Sequence, residues 1–279
     1  MKRQKFSESS KKTFYENFFP SDDYESFKYD VGSYCTRKLI ISQIKHNSGN
    51  LLEIGTGISS LLLDLQNFNC YGIDISTNTI NKVKEQFQKL KKQASLHVCN
   101  AEKLPFKDNF FDVIVSSHTL EHIKNDFNVI KECKRILKNN GELIFFVPGK
   151  KSGLATKNEF LKYGHYRYYN LNKFKNLEKI VYPSLQLKKI FYPHKMHNLI
   201  WNRLKHVFRF INYPFKKWII KDNKSYEHRK IYQKLIMPFI SKTLDFLDKS
   251  LINSEKTFLG VNFNVLAYFE KQENQNKTL

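Results

Sequence analysis

Between residues 50 and 149, short apolar runs alternate with longer segments whose apolar positions recur at helical spacing. The runs are NLLEIG (50–55), NCYGIDI (69–75), SLHVCN (95–100), FDVIVSS (111–117) and GELIFFVPG (141–149). Each is short, apolar and bounded by turn residues, which predicts a buried strand. The intervening segments 58–67, 76–92 and 125–138 predict helices. In the second of these, Ile80, Val83, Phe87 and Leu90 share one face. Ser76 or Thr77 caps its start, and Asn139-Asn140-Gly141 closes the third helix. A further helix over 31–46 precedes the first strand and stops near Asn47-Ser48-Gly49. Strands of this apolar kind, alternating with helices, make βαβ units and a parallel sheet covered on both faces.

After residue 150 the rhythm breaks. Residues 170–181 read as a helix, 184–192 as a strand, 259–271 as a last strand and 272–279 as a polar tail. Residues 1–30 mix polar and aromatic positions without a period. The expected fold is therefore α/β: a Rossmann-like, seven-stranded, mostly parallel sheet with helices on both faces and a helical insertion before the last strand. The chain divides into an N-terminal arm and first helix (1–46), a core (47–193), a basic aromatic insertion (194–258), and the last strand with its tail (259–279).

Composition narrows the class. The chain has 279 residues, 41% of them hydrophobic, enough for a substantial core. No run of about 18 uncharged apolar residues predicts a membrane span. The basic start lacks the apolar segment of a signal peptide, so a cytoplasmic location is expected. None of Cys35, Cys70, Cys99 and Cys133 forms a C-x-x-C pair, which predicts reduced thiols. The net charge of +21 is uneven: residues 1–150 carry 22 Lys/Arg against 17 Asp/Glu, residues 151–279 carry 25 against 9. Such a surplus attracts an anionic partner, or merely reflects a lysine-rich composition. Within 198–221, Trp201, Phe208, Phe210 and Trp218 interleave with Arg203, Lys205, Arg209 and Lys216. That pattern suits a helix lying on an anionic bilayer, with RNA and an ordinary solvated lid as alternatives.

The candidate chemistry sits at LLEIGTGISS (51–60). In a parallel sheet, ligands bind at the carboxyl ends of strands where the strand order reverses. Gly55 and Gly57 allow a tight turn and a close approach to a ligand. The spacing falls short of a dinucleotide fingerprint, because Ser60 stands at the third glycine position. Glu53, just before the turn, is electrostatically wrong for a diphosphate and right for a cation. Asp74 ends the second strand, where a ribose diol is held, and Asn100 follows the third.

Four ordered stretches over 50–149 resemble the class I S-adenosylmethionine-dependent methyltransferases, in the small-molecule and lipid-quinone branch with the methyltransferase type 11 core. They are LLEIGTGIS, YGIDIS, NAEKLPFKDNFFDVIVSSHTLEHI and RILKNNGELIFFVPG. Beyond residue 150 the likeness narrows to GHYRYYN (164–170). Two positions depart from the pattern: Ser59 for a glycine and Asn100 for the commoner Asp. The resemblance implies S-adenosylmethionine as cofactor. It places Glu53 near the methionine amino group, Gly55, Thr56 and Gly57 beneath that moiety, Asp74 on the ribose hydroxyls and Ile75 against the adenine. Asn100 and Ala101 border the adenine, and the Ser117 carbonyl lies near the amino group. Tyr24, Phe27 or Tyr29 of the arm would close over the site.

The implied reaction is in-line methyl transfer to a small-molecule, lipid or glycan-type acceptor. An RNA-modifying enzyme and a non-catalytic cofactor-binding regulator are the alternatives. His118 and His165 are the candidate bases or acceptor ligands. His118, Glu121 and His122 also lie at i, i+3 and i+4, one face of a helical turn. A buried hydrogen-bonding Glu121, rather than a metal centre, is the expectation there.

Overall fold

A computed structural model describes residues 31–58, 60–65, 67–192 and 263–272. The N-terminal arm with Tyr24, Phe27 and Tyr29, the loop residue Ser59, the insertion 194–258 and most of the tail lie outside the described residues.

The sheet strands are β1 (Gly49–Ile54), β2 (Phe68–Asp74), β3 (Ser95–Val98), β4 (Phe111–Ser117), β5 (Leu137–Gly149), β6 (Leu185–Phe191) and β7 (Phe263–Lys271). They form one seven-stranded sheet in the order β3-β2-β1-β4-β5-β7-β6. The first five pair in parallel, while β7 runs antiparallel to both β5 and β6. Strand order reverses between β1 and β4, so the crevice beyond Ile54 and Ser117 is the switch point. The described helices are α1 (Val31–Ile41), α2 (Thr77–Lys89), α3 (Asp126–Ile136), α4 (Lys157–Tyr163) and α5 (Leu171–Val181).

The sheet's two faces bury separate cores. Along β1, Leu52 and Ile54 face a cluster with Ile114, Phe145, Val129, Cys133 and Phe174 from β4, β5, α3 and α5. Leu51 faces the other cluster, with Ile40, Leu61, Ile80, Val83, Phe87 and Val113. This is the period-2 alternation of a strand covered on both sides.

Three expectations change. The helix predicted over 58–67 is a single 3-10 turn, Leu61–Asp64. Leu61, Leu62 and Leu65 are buried against β2, and the carbonyls a helix would use are bonded elsewhere: Cys70 Sγ reaches Leu65 at 3.2 Å and Lys92 Nζ reaches Leu63. The helix predicted to close at Gly141 ends at Ile136, and β5 begins immediately. Its last turn is finished from outside: Lys271 Nζ donates to the carbonyls of Lys134 (2.9 Å) and Leu137 (2.5 Å). Finally, α4 was not expected. Its signals were present in the sequence: Thr156 and Glu159 form a capping box, and Gly164 ends the helix at φ 71°. Cys70, Cys99 and Cys133 are free thiols. Among the described residues, no helix is long and apolar enough to cross a membrane.

Candidate functional site

The chain turns as soon as β1 ends. The amides of Gly55 and Thr56 both donate to the Ile73 carbonyl of β2, at 2.8 and 3.0 Å. Gly55 has φ 74°, and a Cβ there would lie 2.1 Å from Thr119 Oγ1, so the turn after β1 packs directly on the loop after β4. Gly57 has φ 52°, but a Cβ there would meet nothing within 4 Å. Among the described residues, the crest of the loop therefore faces open space. Gly72 of β2 supports it from below, where a Cβ would come within 2.5 Å of Thr56 Cγ2.

Glu53 is 2% exposed. Ser60 Oγ donates to one of its carboxylate oxygens at 2.6 Å and the Leu61 amide to the other at 3.1 Å. Burial pushes its pKa up to about 8, against these hydrogen bonds, and the nearby Asp74 adds to the rise. Through these bonds the Glu53 carboxylate ties the end of β1 to the 3-10 turn.

Asp74, half-buried at the end of β2, accepts from the Gly57 amide at 3.2 Å and from the Ser76 amide at 2.9 Å. Ser76 caps α2 by accepting from the Thr79 amide. Ile75 is half-buried beside it. Asn100, just past β3, uses its side-chain oxygen in a turn, accepting from the Glu102 amide at 3.0 Å. Ala101 is buried in the core beside it. The strand order β3-β2-β1-β4 thus sets Asn100, Asp74, Gly55 and Ser117 in a row along one edge of the sheet. With neighbouring strands about 4.8 Å apart, the row is roughly 14 Å long.

On the β4 side, the Ser117 carbonyl accepts from Thr119 Oγ1 at 3.1 Å. His118 adopts φ 51°, uncommon outside glycine, with its amide bonded to the Phe146 carbonyl at 2.8 Å and about half its side chain exposed. A short 3-10 turn, Leu120–His122, follows. Glu121 is 1% exposed, and among the described residues its carboxylate oxygens meet no close hydrogen-bond donor. His118 Nδ1 stands 3.5 Å from Oε1 and His122 Nε2 3.8 Å away, distances of ion pairs rather than close hydrogen bonds. Burial pushes the Glu121 pKa up, but His118 and then His122 outweigh it and hold the group below the usual carboxylate range.

GHYRYYN locks this loop. The Tyr166 amide donates to the Glu121 carbonyl at 2.8 Å. Arg167 donates to the Ile123 carbonyl at 2.8 Å and pairs with buried Asp126 at 2.9 Å. Tyr169 donates to Asp126 at 3.0 Å. His165 is carried against His122, ring centroids 4.8 Å apart, so His118, Glu121, His122 and His165 form one cluster. The sequence joined His118, Glu121 and His122 through their spacing but not His165, which comes from some forty residues downstream. The H-T-L-E-H spacing was the available signal.

A family model for a methyltransferase domain matches residues 52–145. Those residues match a methyltransferase domain and carry a class I methyltransferase fold. Over 102 residues, 37% of this chain, it is 35% identical to an uncharacterized protein of Methanocaldococcus jannaschii, covering 42% of that protein. Over 117 residues, 40% of this chain, it is 30% identical to a sterol 4-C-methyltransferase of Caenorhabditis elegans, covering 34% of that protein. A demethylmenaquinone methyltransferase of Bacillus cereus is 29% identical over 96 residues, 34% of this chain and 40% of its own. The chain thus spans less than half the length of these relatives. Among solved structures, Haemonchus contortus phosphoethanolamine N-methyltransferase 2 shares the fold at TM-score 0.60 and 18% identity, over 95% of this chain and 57% of its own. So does geranyl diphosphate C-methyltransferase from Streptomyces coelicolor, at TM-score 0.55 and 11% identity, over 85% of this chain and 80% of its own.

The methyltransferase family binds S-adenosylmethionine. Two observations fit this domain's loop to it. The Gly57 crest leaves room where a side chain would stand. Among the described residues, the buried Thr56 hydroxyl beside it has no hydrogen-bond partner.

Proposed function

We propose that this chain is an S-adenosylmethionine-dependent methyltransferase acting on a small-molecule, lipid or glycan-type acceptor. The observation that carries the reading is the junction of Gly57 and Asp74. A glycine crest that faces open space among the described residues is tied to a half-buried carboxylate at the end of β2, next to the strand at the sheet's switch point. When bound, the cofactor supplies a methyl group already activated on a sulfonium. The protein's part is positioning and the exclusion of water. Asp74 accepts from the ribose hydroxyls while keeping Gly57 in register. Ile75, Asn100 and Ala101 border the base. Thr56 and the Ser117 carbonyl offer polar atoms toward the methionine end. Glu53 acts through the loop, holding Ser60 and Leu61 so that the crest keeps its shape. His118, half-exposed just past β4, is the group placed to meet an acceptor.

The acceptor side is supported by topology. β6 ends at Phe191, opposite Leu266 of β7, and β7 begins at Phe263, opposite Gly149 of β5. The segment 193–262 therefore leaves and re-enters the sheet at the edge that carries the site. Its basic and aromatic residues favour an acceptor presented at an anionic membrane surface, with 198–221 making peripheral contact.

Calorimetry with S-adenosylmethionine and its demethylated thioether tests the first half. The expected result is uptake of both by the wild type and a loss of at least about tenfold in Asp74→Ala, the scale of one lost charged hydrogen bond. Uptake that ignores Asp74 overturns the site. Release of labelled thioether with a candidate acceptor separates an enzyme from a binder that does not turn over. Flotation with anionic vesicles at low salt tests the membrane contact; salt-sensitive retention of RNA in its place would favour the nucleic-acid alternative.

A further inference from the structure

We infer that Gln86 of α2 is a positioning residue for the cofactor: its buried amide fixes the limb of the glycine loop that leaves the Gly57 crest. This rests on the cofactor reading of that loop given above. The first observation is a residue out of pattern. The buried face of α2 is Thr79, Ile80, Val83, Gln86 and Phe87, a run at helical spacing. Ile80, Val83 and Phe87 pack in the core cluster with Leu51 and Leu62, yet a long polar side chain stands among them. Gln86 is only 6% exposed. A buried primary amide carries two donors and an acceptor that all need partners.

The second observation is how that amide is used. Gln86 Nε2 donates to the Ile58 carbonyl at 3.4 Å, while among the described residues the buried Oε1 has no hydrogen-bond partner. One long hydrogen bond set against one uncompensated oxygen stabilises the fold little, if at all. What the amide touches gives it a role. Ile58 directly follows the crest, 28 residues before Gln86. On the near side of the crest, the Gly55 and Thr56 amides are held by the Ile73 carbonyl and the Gly57 amide by Asp74. On the far side, Glu53 holds Ser60 and Leu61. Gln86 bonds the backbone between these two anchorages. The helix thereby grips the loop twice: the Ser76 amide at its cap shares the Asp74 carboxylate with Gly57, and Gln86 reaches Ile58 from its buried face. Because a helix is stiff, the two grips fix the crest relative to the carboxylate that takes the ribose. Holding a loop in its bound shape beforehand raises affinity by lowering the cost of ordering it.

The test is calorimetry with S-adenosylmethionine and its demethylated thioether on the full chain, comparing wild type, Gln86→Met and Gln86→Glu, with urea denaturation alongside. Gln86→Met keeps the side chain's length and removes both polar atoms. Its stability should hold or rise, while affinity for both ligands falls about fivefold, the scale of one lost neutral hydrogen bond. In Gln86→Glu, burial favours the protonated carboxyl, which still donates to Ile58. Its affinity relative to wild type at the same pH should be low near about pH 8 and recover toward about pH 5, a recovery that Gln86→Met does not show. Unchanged affinity in Gln86→Met overturns the inference. So does a loss of stability in step with the loss of affinity, which would make Gln86 a part of the core and nothing more, or a Gln86→Glu affinity that ignores pH. Failure of the wild type to take up either ligand overturns the cofactor reading and this inference with it, and is seen before any variant is compared.

Discussion

The loops after β1 and β4 stand side by side at the switch point, and each buries one glutamate, yet they treat it in opposite ways. Glu53 is held by its own loop: Ser60 and Leu61 supply a donor to each oxygen, and burial keeps a proton on the carboxyl up to a pH of about 8. Glu121 has no such donors, and histidines from its own turn keep it charged. A buried acid can be accommodated by a proton or by a cation. The first loop uses the proton, which gives a rigid support. The second sets its acid at ion-pair distance from two histidines, one of which burial itself pushes toward the neutral form. The loops also differ in what holds their backbones. The first is closed within residues 53–76, while the second depends on Arg167 and Tyr169 some forty residues downstream.

That contrast can be broken most forcefully at Arg167. Its removal leaves Asp126, 2% exposed, as a buried charge without its guanidinium. Arg167→Ala should cost about 3–5 kcal/mol, read by urea denaturation. A cost below ~1 kcal/mol would mean the second loop does not need its brace. Next comes Gly55→Ala, which drives a Cβ to 2.1 Å from Thr119 Oγ1 at a φ of 74°. Overpacking and left-handed strain together should cost about 2–4 kcal/mol and disturb both loops at once.

The pH response of Glu53 separates the two glutamates more finely. Its folded pKa of about 8 lies above the unfolded value of 4.5, so the folded state holds the extra proton between those limits. Stability from this group is complete below pH 4.5 and falls as pH rises toward 8, by up to about 1.4 kcal/mol per pH unit. Glu53→Gln should remove that slope from the pH dependence of denaturation. An unchanged slope would show that Glu53 is ionised in the fold. The smallest effect belongs to Gly57→Ala. Left-handed strain with no steric contact should cost only about 1 kcal/mol, while uptake of S-adenosylmethionine falls disproportionately, because the methyl group occupies the crest. Equal loss of stability and uptake would deny the crest a role of its own.

The first loop was largely legible in the sequence because its partners are close along the chain. A strand, two glycines, an acid before them and another about twenty residues later are a local pattern, and the parallel sheet follows from apolar runs separated by amphipathic helices. Even there, the sequence overextended the segment after Ser60 into a helix. Leu61, Leu62 and Leu65 fit a helical period as well as they fit a single turn pressed on β2.

What the sequence by itself determined was the class of fold and the order of the strands, with the glycine turn and its flanking acids, since hydrophobic period and turn chemistry act over a few residues. Tertiary structure decided the rest. Only the antiparallel insertion of β7 between β5 and β6 brings Lys271 to finish α3 from 134 residues away, and only the return of residues 164–169 against the β4 loop sets His165 beside His122 and Glu121. Neither contact leaves a periodic trace, because a buried charge is satisfied by whichever group the fold delivers to it.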